Sequence, residues 1–289
     1  MTDSNTIYKQ VHEHYGSVAR SARSEYSNVI AKAFGYSEEE LSSIPADANL
    51  GLSCGNPIGI AGLREGETVI DLGSGAGFDV FLASKKSAKY RTRIDRATFE
   101  DMLERARQNQ SKLPDAGNVL FIEAKITSIP LDDNIADCIT SNCVINLVPE
   151  NEKPLVFAEI ARLLKPGGRV AISDILARKP LPPGLRENVA LYVGCVAGAS
   201  TKDDYTGWLN DVGFKDITIV DAGSDLNVYI DAARTGQAKK HAVAGASGCC
   251  DNSCCDNGTA AETIASEYDL SGININEWAG SFKIFAVKC

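Results

Sequence analysis

Three cysteines stand in segments whose composition predicts loops, each beside residues that could do chemistry. Cys54 belongs to segment 51–57, Cys143 to segment 141–146 and Cys195 to segment 192–197. Between the first two segments, a hydrophobic run leads into a glycine-rich turn. Thiolates are soft ligands that favour soft, thiophilic partners. The pattern therefore suggests a nucleotide-like cofactor held near three thiols, with arsenic or a heavy metal as the hypothesised substrate.

Each of these cysteines also has an ordinary interpretation when it is taken alone. Free cysteine is one of the most buried residue types and usually behaves as a small hydrophobic residue. Cys138 lies inside an apolar strand pattern, so we predict that it belongs to the core.

The glycine-rich turn spans residues 71–77 and places small residues where the backbone must turn sharply after a strand. Glycine permits that turn and lets a ligand lie against main-chain atoms. Asp71 precedes the glycines, which suits a ligand with an ammonium group better than one with phosphates. A tight strand-to-helix turn without any ligand is the alternative.

Composition sets limits on the function. The chain has 289 residues, of which 44% are hydrophobic and 23% are charged, enough for one well-buried core plus additions. A net charge of -9 argues against a nucleic-acid surface, which would be basic. No segment approaches the roughly 18 consecutive apolar residues of a membrane span, and residues 1–15 lack a signal-peptide pattern. We expect a cytoplasmic monomer. Its nine cysteines favour reduced thiols and ligand chemistry over a disulfide framework.

The pattern of elements predicts a doubly wound α/β sheet with an N-terminal helical cap. Apolar residues at helical spacing across 17–34 and a capping box opened by Ser37 predict the cap. Short apolar strands and amphipathic helices then alternate, which is typical of doubly wound α/β proteins. Segment 165–168 predicts a helix end followed by a tight turn. The predicted elements after the glycine turn are strands at 119–122, 136–140 and 169–173, a helix at 152–164 and a final strand at 282–288.

Several of these segments resemble those of a known protein family. Segment 71–77 is similar to the cofactor loop of class I S-adenosylmethionine-dependent methyltransferases, a Rossmann-like fold. Together with segment 163–169, the three cysteine segments make the chain resemble the arsenite methyltransferases in particular. The resemblance covers residues 10–235 and resumes at the final strand. We therefore predict four regions: a helical cap (1–50), a cofactor-binding α/β core (51–180), substrate-side helices and strands (181–235), and a flexible cysteine-rich tail that ends in a strand (236–289).

The resemblance also implies the roles of individual residues. Cys54, Cys143 and Cys195 would bind trivalent arsenic and serve as the catalytic residues. A thioredoxin-like or glutathione system would supply thiol reductant, because methylation oxidises arsenic and leaves the protein thiols as a disulfide. The residues that the resemblance assigns to S-adenosyl-L-methionine are Tyr15, Asp71, Gly73, Ser74, Gly75, Gly77, Ile126 and Asn142, and we add Asp95 as a candidate cofactor residue.

One segment departs from the family pattern. Family members have a second strand that ends in an acidic residue for the ribose hydroxyls, whereas an ungapped alignment places Ala97 at that position. Asp95 is the nearby substitute carboxylate. Segment 87–100 is also cationic and polar where a Val/Ile-rich strand is expected, which predicts weaker pairing in the sheet centre.

The tail contains two adjacent cysteine pairs in a segment rich in Gly, Ser and Asp: Cys249, Cys250, Cys254 and Cys255. They indicate a secondary site that captures arsenic or a soft metal. A zinc site fits less well, because no histidine follows, and redox-active thiols without a dedicated ligand remain an alternative.

Three functions stay open. The first is an arsenite methyltransferase. The second is a methyltransferase for an organic small molecule, which would need a general base that does not stand out in the sequence. The third is a thiol-based arsenic-binding protein that methylates poorly. None of them requires nucleic acid or a membrane.

Overall fold

The computed structural model describes residues 4–20, 26–86, 89–94, 100–182, 195–229 and 274–289. Along these residues, four helices precede the first strand, and helices and strands then alternate through most of the core, as the sequence predicted. The helices are α1 (Ser4–Arg20), α2 (Ser27–Ala33), α3 (Glu38–Ser42), α4 (Pro57–Ala61), α5 (Phe78–Ser84), α6 (Glu100–Ser111), α7 (Lys153–Leu163) and α8 (Lys202–Asp211). The strands are β1 (Thr68–Leu72), β2 (Lys89–Ile94), β3 (Phe121–Glu123), β4 (Ala136–Asn142), β5 (Leu164–Ala177), β6 (Phe214–Asp221) and β7 (Ala279–Lys288).

The seven strands form one sheet in the order β3-β2-β1-β4-β5-β7-β6. Strands β1 to β5 pair in parallel, and β7 lies antiparallel between β5 and β6. The predicted doubly wound α/β fold is therefore confirmed. The strand order reverses between β1 and β4, and ligands of open α/β sheets bind at the carboxyl ends of the strands at such a point.

Local sequence explains several element boundaries. Ser37 and Glu40 form the predicted capping box, in which each side chain accepts a hydrogen bond from the other residue's backbone N–H. Strands β1 and β4 are buried along most of their length, as expected for parallel strands covered on both faces.

Other boundaries differ from the prediction. The strand predicted at 119–122 is observed at β3, two residues later. Strand β5 starts at Leu164, directly after α7, and segment 165–168 forms a bulge within it opposite β4, so the predicted tight turn interrupts a strand. Gly167 takes a φ of 76° in this bulge, a conformation that glycine adopts without steric cost.

The atypical segment still contributes a strand. Strand β2 pairs in parallel with β1 from Lys89 to Arg93 and with β3 from Thr92 to Ile94. The pairing that the cationic composition predicts to be weak is thus present. Ala97 and Asp95 lie outside the described residues.

Helix α1 covers the carboxyl end of the sheet. Its buried residues Val11, Tyr15 and Val18 follow helical spacing, which gives the helix one apolar face. That face belongs to the same hydrophobic cluster as Cys54, Cys143 and Cys195. None of the described helices is both long enough and apolar enough to cross a membrane.

A thiol cluster beside a candidate cofactor cleft

The three predicted cysteines meet at the carboxyl end of the sheet. Cys143 directly follows β4, Cys54 precedes α4, and Cys195 lies in the loop before α8. Their sulfur atoms all lie within 4.8 Å of one another, and all three residues are buried. Three sulfurs at this spacing can bind one soft ion together.

Two of the three sulfurs are joined. Cys54 and Cys143 form a disulfide with their Cα atoms 5.6 Å apart, whereas Cys195 is a free cysteine. The sequence predicted reduced thiols. Among the described cysteines, that prediction is wrong for Cys54 and Cys143, which are joined, while the others are free. A thiolate, rather than a disulfide sulfur, is the ligand for a soft ion. The site with three ligands is the reduced form of this cluster.

Two of the cysteines have an unusual backbone conformation. The φ angle is 57° at Cys143 and 64° at Cys195. Such left-handed conformations cost of the order of 1–3 kcal/mol in residues other than glycine, and they persist only where the surrounding contacts impose them. The Cys195 thiol donates a hydrogen bond to the Cys143 carbonyl over 3.0 Å. The two cysteines with a strained backbone are thus two of the three whose sulfurs lie close together.

Asn142, the last residue of β4, ties the Cys54 loop to the sheet. Its Oδ1 accepts a hydrogen bond from the Cys54 N–H over 3.1 Å, and its Nδ2 donates to the Gly55 carbonyl over 2.9 Å. Strand β7 contributes a further contact, because Ser281 Oγ donates to the Cys54 carbonyl over 2.5 Å. The sulfur of Cys54 is therefore positioned by β4 and by β7.

Two tyrosines lie against the sulfurs. The hydroxyl of Tyr15 is 4.0 Å from Cys195 Sγ, and the hydroxyl of Tyr229 is 3.8 Å from Cys54 Sγ. Burial, followed by the nearby Cys195, raises the pKa of both tyrosines well above its usual value. Burial also raises the pKa of the Cys195 thiol, with the Asp174 carboxyl as the next cause. Without a bound ion, Cys195 is therefore a neutral thiol.

A cleft opens directly beside the sulfurs. Its empty space is about 910 Å³, a volume that includes open solvent at its mouth. Cys143 belongs both to the wall of this cleft and to the sulfur cluster. The predicted cofactor residues that line the cleft are Tyr15, Asp71, Gly73, Ser74, Gly75 and Asn142.

Two carboxylates give the cleft its electrostatic character. Asp71 accepts a hydrogen bond from Thr140 over 2.6 Å, and Asp79 accepts bonds from Tyr36 over 2.6 Å and from Asn142 over 2.8 Å. Burial raises the pKa of Asp79 to about 6. Burial and then the charge of Asp79 raise the pKa of Asp71 well above its usual value. A cationic ligand would relieve this repulsion, because an opposite charge favours the ionised form.

The glycine loop leaves room for a ligand. Gly75 has a φ of 52°, and a Cβ added there would meet nothing within 4 Å. The neighbouring Ser74 hydroxyl is buried and has no hydrogen-bond partner among the described residues. A buried polar atom of this kind usually has a partner, so the loop fits a polar ligand that lies against it.

Some predicted residues are not brought to the cleft. Ile126 is buried in the core cluster around β4 and α7, and the described lining of the cleft does not include it. Gly77 caps α5 at a φ of 95°, where an added Cβ would meet the Phe81 ring at 2.4 Å. Packing against the Phe81 ring therefore requires glycine at position 77. Asp95 and the tail cysteines 249, 250, 254 and 255 lie outside the described residues.

Sequence reasoning missed three residues of the site: Asp79, Tyr36 and Tyr229. Asp79 has a signal in the sequence, because it is an acidic residue two positions after the last glycine of the turn. The two tyrosines lie in separate segments and reach the site only through the tertiary fold. Cys138, by contrast, is fully buried in β4, and burial raises its pKa to about 12, so its prediction as a core residue is confirmed.

Comparisons with known proteins agree with this architecture. The strand order and the cleft at its reversal define a class I methyltransferase fold. A family model described as a methyltransferase domain matches residues 63–213, and the chain therefore belongs to the methyltransferase domain family.

Two curated relatives are arsenite methyltransferases. The protein from Halobacterium salinarum is 40% identical over 224 residues, which are 73% of this chain and 56% of the relative. The protein from Mus musculus is 28% identical over 225 residues, which are 73% of this chain and 59% of the relative. The chain thus matches less than two thirds of the length of either relative.

Solved structures show the same fold. An arsenic (III) S-adenosylmethionine methyltransferase from Chlamydomonas reinhardtii superposes with a TM-score of 0.55 and 22% identity, covering 93% of this chain and 75% of that chain. A phosphoethanolamine N-methyltransferase from Haemonchus contortus, solved with S-adenosylhomocysteine, superposes with a TM-score of 0.61 and 17% identity, covering 80% and 51%.

Proposed function

We propose that this protein methylates trivalent arsenic, with S-adenosylmethionine as the methyl donor and with Cys54, Cys143 and Cys195 as the arsenic ligands. One observation carries the proposal: three sulfurs lie within 4.8 Å of one another, and one of their residues also lines the candidate cofactor cleft. The likeness to arsenite methyltransferases supports the same substrate. An arsenical bound as a thiol conjugate would exchange its thiols for these cysteines.

The reduced cluster provides the ligands that trivalent arsenic prefers. Arsenic bound by three sulfurs keeps a lone pair on the side opposite them, and this pair is the nucleophile. Tyr15 and Leu147 belong to the buried hydrophobic cluster that contains the three cysteines, so packed side chains around the sulfurs limit the access of water. No strong general base is required, so catalysis rests mainly on holding two reactants in contact.

The cleft residues match the charge of the proposed cofactor. S-adenosylmethionine, when bound, supplies a methyl group attached to a positively charged sulfur. Asp71 and Asp79 would neutralise the cationic groups of the cofactor. The Ser74 hydroxyl, which has no partner among the described residues, would form a hydrogen bond with the cofactor. Gly75 would let the ligand lie against the backbone. Asn142 would hold Asp79 and the Cys54 loop in one arrangement through the bonds described above.

The Cys54–Cys143 pair supports a role for a reductant. Transfer of a methyl cation to the arsenic lone pair formally raises arsenic from the trivalent to the pentavalent state. Two cysteines that can form a disulfide can supply the two electrons that restore the trivalent state. A thioredoxin-like or glutathione system would then reduce the disulfide and renew the site. We propose that the four tail cysteines, Cys249, Cys250, Cys254 and Cys255, form a secondary site that captures arsenic or a soft metal.

Separate titrations of the reduced protein test the proposal. The protein is titrated with arsenite and, independently, with S-adenosylmethionine, and methylated arsenicals are measured when both are present. Binding of both ligands and formation of a methylated product is the expected result. Binding of arsenite without the cofactor would indicate a sequestering protein, and binding of the cofactor without arsenite would indicate an organic substrate. Either outcome would contradict the proposal.

Restoring an acidic residue at position 97 is expected to tighten cofactor binding. A ribose diol held by one carboxylate gains up to two charge-assisted hydrogen bonds, each worth about 1.5–3 kcal/mol. The loss of such a residue should therefore weaken binding by roughly one to four powers of ten. We expect Ala97→Asp to increase the affinity for S-adenosylmethionine by calorimetry, and Asp95→Ala to reduce it.

The paired variants also locate the ribose contact. If Ala97→Asp leaves the affinity unchanged while Asp95→Ala abolishes binding, then Asp95 is the ribose ligand and the local register is shifted. If neither change affects the affinity, segment 87–100 does not contact the cofactor. Sequencing the codons for residues 87–100 again would show independently whether position 97 encodes alanine.

Cofactor affinity is expected to fall in mild acid. Asp79 has a folded-state pKa of about 6, so it is ionised above that pH and becomes neutral below it. A cationic ligand binds the ionised form, so the affinity for S-adenosylmethionine should be highest above pH 6 and should decrease as the pH falls through about 6. Calorimetry across the pH range in which the protein stays folded measures the trend. Asp79→Asn should lower the affinity and flatten its pH dependence, whereas an equally steep profile in that variant would assign the titration to another group.

A further inference from the structure

A lysine buried beneath the thiol cluster has no part in the proposed arsenic chemistry. Lys153, the first residue of α7, is 0% exposed. Its ammonium donates to the Gly198 carbonyl over 2.5 Å, to Ser200 Oγ over 2.6 Å and to Glu150 Oε2 over 2.9 Å. Burying a charge is costly unless it is paired and hydrogen-bonded. Two of the three partners belong to the loop that carries Cys195, so the buried charge organises that loop.

Asn146 holds the same loop from the other side. It is also 0% exposed. Its Nδ2 donates to the Cys195 carbonyl over 3.1 Å and to the Ile175 carbonyl of β5 over 2.5 Å. A single amide thereby connects the backbone of Cys195 to the sheet.

Asn146 and Lys153 both hold the loop in which Cys195 has a strained backbone. Cys195 has a φ of 64°, a conformation that cysteine does not favour by itself. Asn146 holds its carbonyl, and Lys153 holds the chain three and five residues later. A further backbone bond, from Ala177 N–H to the Ser200 carbonyl over 3.0 Å, fixes the end of the loop on β5. Without the hydrogen bonds from Asn146 and Lys153, Cys195 can relax to a negative φ. Its sulfur would then move away from the sulfurs of Cys54 and Cys143.

We propose that Asn146 and Lys153 are positioning residues for the third sulfur: they hold the Cys195 loop so that the site presents three sulfur ligands instead of two. Neither residue touches the reacting atoms. The inference rests on the proposed arsenic-binding function and deepens it, because it assigns the residues that set the number of arsenic–sulfur bonds. Cys54 is held by Asn142 and Ser281, and Cys143 is held by the hydrogen bond from its N–H to the Ser173 carbonyl over 2.9 Å, so both would keep their places.

The test counts sulfur ligands directly. Asn146→Leu and Lys153→Met replace each donor with an apolar side chain of similar size, in the full chain with the four tail cysteines changed to serine. X-ray absorption spectroscopy of the reduced, arsenite-loaded protein should show three As–S bonds in the parent and two in each variant, as in Cys195→Ser. The arsenite affinity should fall about ten-fold or more. Phenylarsine oxide needs two sulfurs, so its affinity should stay unchanged.

Lys165→Met is the control for removing a lysine that pairs with a carboxylate. Lys165 also pairs with a carboxylate, Asp137, over 2.6 Å, but it lies in the bulge of β5 away from the sulfurs. This variant should keep three As–S bonds and the parent affinity. Three As–S bonds in Asn146→Leu or Lys153→Met would overturn the proposal for that residue. Equal loss of both arsenical probes would overturn it as well, because the damage would then not be confined to the third sulfur.

Cadmium separates this inference from the proposed function. Cd²⁺ is a soft ion whose sulfur-to-metal absorbance in the ultraviolet counts bound thiolates, and it needs no arsenic chemistry. If the parent protein fails to bind arsenite, the proposed function is wrong. The positioning role still stands if the cadmium signal loses one thiolate in the variants, and it is overturned if the signal is the same. Circular dichroism checks the folding of each variant, and Asn146→Leu carries the test if the Lys153→Met protein does not fold.

Discussion

Replacing Cys143 or Cys195 with serine is expected to abolish arsenic methylation. Each sulfur lies within 4.8 Å of the other two, so each substitution removes one ligand from the proposed site. Serine offers a hard, protonated oxygen that cannot replace a soft thiolate. Loss of a residue that merely supports a metal ligand costs about 10- to 100-fold, so loss of the ligand itself should lower arsenite affinity by more than that and remove detectable turnover.

The measurement needs a control for burying a hydroxyl group. Cys138→Ser provides it, because Cys138 is as fully buried as the site cysteines but lies within β4, outside the sulfur cluster. We expect this variant to lose stability while its folded fraction keeps binding arsenite. Methylated product from both Cys143→Ser and Cys195→Ser would refute the assignment of arsenic to this site. The assay measures methylated arsenicals in reduced protein, with thermal unfolding recorded for each variant.

Much of the α/β core could be predicted from local sequence. Strand β4 and helix α7 lie within a few residues of their predicted bounds, because an apolar run covered on both faces and an amphipathic repeat are local signals. The capping box at Ser37 is likewise local, since its two partners are three residues apart. By contrast, β3 starts two residues later than its most apolar stretch suggests, because strand boundaries depend on pairing with β2.

The geometry of the site depended on tertiary structure. The positions 54, 143 and 195 are far apart in sequence, so the composition of their segments suggested a shared role, but only the family resemblance implied that the three cysteines bind one ion. Spacing alone could not predict the left-handed φ angles at Cys143 and Cys195, because cysteine has no intrinsic preference for them. The placement of β7 between β5 and β6 could not be predicted either, although it brings Ser281 to the Cys54 loop. Contacts of this kind form between segments that carry no signal for each other.

The clearest functional separation within the site is expected from Gly75→Val. Gly75 lines the cleft at a φ of 52°, and an added Cβ would point into space free of protein atoms. A branched side chain would fill the volume that the cofactor needs against the backbone. We expect calorimetry to show a loss of S-adenosylmethionine affinity of at least about 100-fold, equivalent to roughly 2.7 kcal/mol. Arsenite binding to the reduced thiols should persist, since Gly75 is not among the residues that hold the sulfurs.

Backbone strain alone could mimic part of this result, because valine disfavours a positive φ by about 1–2 kcal/mol. Gly62→Val is the matched control: Gly62 has a φ of 55°, an added Cβ there would also meet nothing within 4 Å, and the residue ends α4 away from the described cleft lining. Both variants should lose similar stability, and Gly75→Val alone should lose the cofactor. If the two variants bind S-adenosylmethionine equally well, the glycine loop does not contact the ligand, and the cofactor must be sought along another part of the sheet edge. If Gly75→Val loses arsenite as well, the cleft and the sulfur cluster act as one binding unit, because the strain in the loop then reaches Cys143 through Val144, which lies against Gly73.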